Sequence, residues 1–66
     1  MTSLETEMYA KLKKIAMWLE TNATHLEEYA NKVCQFESLA KGERANAKNY
    51  RATAADIRKL LAKVKP

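Results

Sequence analysis

Two rows of side chains, each repeating every seven residues, run through the first forty positions of this chain. Leu12, Leu19, Leu26, Val33 and Ala40 form one row; Met8, Ile15, Asn22, Tyr29 and Phe36 form the other. Interleaved at spacings of three and four, they read as one apolar seam on a helix that packs lengthwise against another helix. One glycine and one proline in 66 residues leave little to interrupt that pattern. The wealth of alanine, leucine, lysine and glutamate favours helix as well, so an all-α chain is expected.

The first helix has a marked start. Thr2 and Glu5 have the spacing of a capping box, and Ser3 is a second candidate cap. The stretch Thr21-Asn22-Ala23-Thr24 is weaker helix material, and Thr24 with Glu27 repeats the capping-box spacing. The seven-residue phase nevertheless passes straight through it. Asn22 falls on a seam position, where a buried amide is a device for fixing register. The expectation is one long first helix over about 3–40, with a kink or break near 21–24 as the alternative. Unbroken, it would be about 57 Å long. Gly42 follows the last periodic residue and reads as a C-terminal cap, free to take positive φ. The turn is therefore expected at 41–43 and a second helix at about 43–65, with its own seam of Ala47, Tyr50, Ala54, Ile57, Leu61 and Val64 before Pro66.

The expected architecture is a single helical domain over 1–66, an antiparallel hairpin with unequal arms. A shorter second helix would leave Met8, Leu12, Ile15, Trp18 and Leu19 as an apolar overhang that requires a partner. A second copy supplies one, which gives a homodimeric helical bundle. Tyr9, Ala16, Ala23 and Ala30 flank the seam on one side, and Leu4, Trp18 and Leu39 on the other. That width suits a bundle better than a two-stranded coil. A true break at 21–24 would instead allow a three-helix bundle. Size argues the same way, since a chain this short buries only about 60% of its unfolded surface. Cys34 is the only cysteine, so no intrachain disulfide can help. Cys34 and His25 are the only soft ligands, too few for a zinc site, and no metal or cofactor is expected. A passive thiol fits a reducing cytoplasm.

Charge is lopsided. Residues 1–40 carry four lysines against six glutamates, a balance of −2; residues 41–66 carry eight bases against two acids, a balance of +6. Arg44, Arg51, Arg58 and Lys65 repeat every seven residues, with Lys48 and Lys59 close by. Such a stripe suits a phosphate backbone. It equally suits pairing with Glu20, Glu27, Glu28 and Glu37 across a helix interface.

No run is long and apolar enough for an export signal or a membrane span, and the basic helix is too alanine-rich to favour a membrane surface. No nucleophile–base pair or phosphate loop is present, so neither an enzyme nor a small-molecule substrate is expected. The function expected is that of a small dimeric adaptor or regulator binding a larger protein, in the style of accessory proteins of phages and mobile elements. The alternative is a nucleic-acid-binding dimer using Arg44, Lys48, Arg51, Arg58, Lys59 and Lys65.

Overall fold

The computed structural model describes residues 2–33 and 35–64. They form two helices and no strand: α1, Ser3–Lys32, and α2, Glu37–Lys63. The capping box opens α1 as expected. The Glu5 N–H donates to Thr2 Oγ1 at 3.1 Å, and the Thr2 N–H donates to Glu5 Oε1 at 3.3 Å. Two of the orphan donors at the helix start are satisfied in this way.

The helix passes unbroken through 21–24. The weak formers there turn their polar groups back onto the helix. Asn22 Nδ2 donates to the Trp18 carbonyl at 2.8 Å, and Thr24 Oγ1 donates to the Glu20 carbonyl at 3.2 Å. With two helices rather than three, the three-helix alternative does not apply to the described residues.

The reversal lies elsewhere than at 41–43. It occupies 33–36, and Lys41, Gly42 and Glu43 lie inside α2. Val33 closes α1 through its N–H to the Tyr29 carbonyl at 3.0 Å. Phe36 opens α2 in extended conformation without a side-chain cap. Gly42 has negative φ, and a Cβ built on it meets nothing within 4 Å. It is a tolerated helical glycine and not a cap. A mid-helix glycine weakens the helix by about 1 kcal/mol relative to alanine, which tertiary pairing readily outweighs.

That pairing is set by alanine. Ala16, Ala23 and Ala30 on α1 and Ala40, Ala47 and Ala54 on α2 are buried, with Leu61 beyond them; Ala16, Ala23, Ala47 and Ala54 have no exposed surface at all. Each set repeats every seven residues. Bonds from Arg58 to Glu20 and from Arg51 to Glu27 tie the two antiparallel helices together. Counted from the turn, Ala30 and Ala40, Ala23 and Ala47, and Ala16 and Ala54 fall at matching levels. A methyl group at each level lets two helix backbones approach closely. On α1 the seam is therefore the row expected only to flank it, while on α2 Ala47, Ala54 and Leu61 lie in the seam as expected. The larger residues Met8, Ile15 and Tyr29 are pushed outside.

The arms are also nearly equal, at 30 and 27 residues, so α1 has no uncovered half. The hairpin is 50 Å long and 15 × 11 Å across.

Candidate interaction surface

The alanine seam divides the hairpin into two flanks. The first is ionic. Arg58 donates to both carboxylate oxygens of Glu20, at 2.9 and 2.6 Å. Arg51 donates to Glu27 and, at 3.1 Å, to Thr24 Oγ1. Arg44 donates to Asn31 Oδ1 at 3.1 Å and to Glu37 at 2.9 Å. The seven-residue repeat of arginines on α2 thus meets polar acceptors on α1, Glu20, Glu27 with Thr24, and Asn31. The planar guanidinium fork suits this bidentate geometry. Hydrogen bonds from Arg58 and Arg51 hold the Glu20 and Glu27 carboxyls below the ordinary glutamate range, and the same bonds raise the two guanidinium groups.

The second flank is apolar. The five residues expected in the dimer interface lie here: Met8, Leu12, Ile15 and Trp18 are exposed, and Leu19 is half-buried. They form one side of the N-terminal half of α1, alongside α2 and not beyond its end. The expected overhang required a turn at 41–43; with the turn at 33–36, α2 runs alongside nearly all of α1 and the bulk lies on a lateral face. Trp18 stacks on Tyr50 of α2, with ring centroids 6.4 Å apart and planes at 29°. It remains 59% exposed. Sequence reasoning confined this surface to α1. It continues through Tyr29 and Phe36 and along α2 through Leu39, Leu60 and Val64, all exposed. Their seven-residue spacing, Leu39–Asn46–Thr53–Leu60, was the available signal.

At the open end the flank dips into a groove of about 140 Å³ lined by Glu5, Met8, Tyr9, Leu12, Leu61 and Val64. Its one carboxylate, Glu5, belongs to the capping box.

Of the basic stripe, Arg44, Arg51 and Arg58 are engaged within the chain. Lys48 and Lys59 are exposed and in no ion pair among the described residues. Lys65 and Cys34 lie outside the described residues. Among the described residues no helix is long and apolar enough to cross a membrane, and no three His, Asp or Glu gather as a metal site. No family model matches the chain, and neither a curated protein nor a solved structure matches it.

Proposed function

We propose that this chain is a non-enzymatic interaction protein. Its apolar flank binds a second copy, and the resulting four-helix dimer presents its charged outer faces to a larger protein as an adaptor or regulator. One observation carries the dimer. Among the described residues the hairpin buries six alanines and a single leucine, while every other large apolar side chain is half-buried or exposed. A buried methyl group contributes on the order of 0.8 kcal/mol and a buried leucine about 1.5–3. So small a core calls for a partner on the open flank. The area supports a second copy as that partner. A face of 50 × 15 Å offers on the order of 700–800 Å² per copy, against the ~800 Å² per partner of a stable interface.

The ionic flank favours a protein target over nucleic acid. Three of the five described cations in the stripe already have carboxylate partners, which leaves Lys48 and Lys59 to meet phosphate.

Sedimentation equilibrium tests the dimer. A species of twice 7.5 kDa, with a melting temperature that rises with concentration, is expected; a folded monomer with a concentration-independent transition refutes it. Fluorescence anisotropy with mixed-sequence DNA and stem-loop RNA tests the target. Saturable binding at near-physiological salt would overturn the protein reading.

A further inference from the structure

The outward rows of the apolar flank carry amides at one level, with Thr53 one repeat further along α2. On α1 the outward row reads Met8, Ile15, Asn22, Tyr29; on α2 it reads Leu39, Asn46, Thr53, Leu60. Counted from the turn, Asn22 and Asn46 lie at nearly the same height. Asn22 is ten residues before the end of α1, and Asn46 is nine after the start of α2. At about 1.5 Å per residue, both amides sit roughly 15 Å from the turn. The hairpin is 50 Å long, so this polar level is off-centre.

We propose that the two copies of the dimer inferred above pack in parallel, with both turns at one end, so that Asn22 and Asn46 meet Asn22 and Asn46 of the partner subunit in one polar layer. The other alignments fail on this feature. An antiparallel dimer centred on the hairpin sets the amides against the level of Leu12, Ile15 and Ile57 of the partner subunit. Buried amides facing hydrocarbon are unsatisfied and strongly disfavoured. Sliding an antiparallel pair until the amides meet carries Leu4, Met8, Leu60 and Val64 past the partner's turn and back into water. Parallel packing alone matches the polar level and covers the whole flank. Asn22 is prepared for this role. Its Nδ2 is anchored on the Trp18 carbonyl at 2.8 Å, which directs Oδ1 to accept from the partner. A buried amide that selects one alignment over others at some loss of stability is a known device of helical assemblies.

The test is pulsed electron–electron dipolar spectroscopy on two spin-labelled variants, Q35C at the turn and S3C at the open end, each carrying C34S. Parallel packing predicts a distance under half the 50 Å length at both sites. A long distance at either site overturns the alignment while keeping the dimer. Loss of all dipolar modulation means a monomer and overturns the dimer itself. In the N22L/N46L double variant of Q35C, the dimer should persist but show two distance populations, short and long. A single short population would show that the amides do not choose the alignment.

Discussion

Along one flank of the alanine seam, Arg44, Arg51 and Arg58 each find partners within the chain. Along the other, Trp18 finds Tyr50 and remains mostly open to solvent. The two flanks lie on the same two helices, yet they have different tasks. The ionic flank pairs within one copy and ties α2 to α1 across the seam. The apolar flank is left open by the hairpin and holds nearly all the bulk that can stabilise a fold. Charge ties the hairpin together here, and in the proposed dimer hydrocarbon joins it to a second copy.

The sharpest way to break this contrast is to place charge on the open flank. Ile15→Asp with Leu60→Asp should abolish the dimer and take most of the helical circular dichroism with it. A stable, helical monomer would show that the seam suffices. Next in size is Ala47→Leu. Overpacking a full core typically costs about 1–3 kcal/mol, and at a fully buried alanine between two backbones the upper end is expected. The readout is a lower denaturant midpoint, with the helices forced apart. Gly42→Ala sharpens the map of the interface. With nothing within 4 Å of the new methyl, it should raise stability by up to ~1 kcal/mol. A loss instead would mean that the partner copy packs closely on that position.

The smallest effects belong to the ionic flank. Arg51→Met should lower the melting temperature only slightly, because exposed pairs add little. Acid should act in the same direction. Glu20 and Glu27 have depressed folded pKa values. Their contribution is therefore complete above the ordinary glutamate range and disappears as pH falls through their folded values. A Glu20→Gln/Glu27→Gln variant should flatten the acid limb of a stability–pH curve.

Helix content and the Thr2–Glu5 cap were legible because both rest on local chemistry. The turn was not. Val33 to Phe36 contains no glycine or proline, while Gly42 carries the local signal of a helix end without forming one. What decides the reversal is non-local. The alanine row runs 16, 23, 30 and then skips to 40, a step of ten where seven would continue the helix. That slip of phase marks the return of the chain, but alanine scores low on any hydrophobic reading beside Leu12 or Ile15. Met8, Leu12, Ile15, Trp18 and Leu19 were found because they are large, and the α2 half of the same face was missed because Asn46 and Thr53 dilute its row. The arginine stripe was visible; its partners were not, since Glu20 and Arg58 are 38 positions apart.

The seven-residue repeat of the seam has one more consequence. Alanines and arginines recur with the same period, and Glu20 and Glu27 share it, so sliding one helix past the other by two turns brings methyl to methyl and guanidinium to carboxylate again. The surfaces behave like two combs with equal teeth, which mesh at several offsets. The four-residue connection at 33–36 removes that ambiguity. It reaches across only when the nearest teeth are engaged, so a segment with no turn chemistry of its own works as the index pin of the whole hairpin.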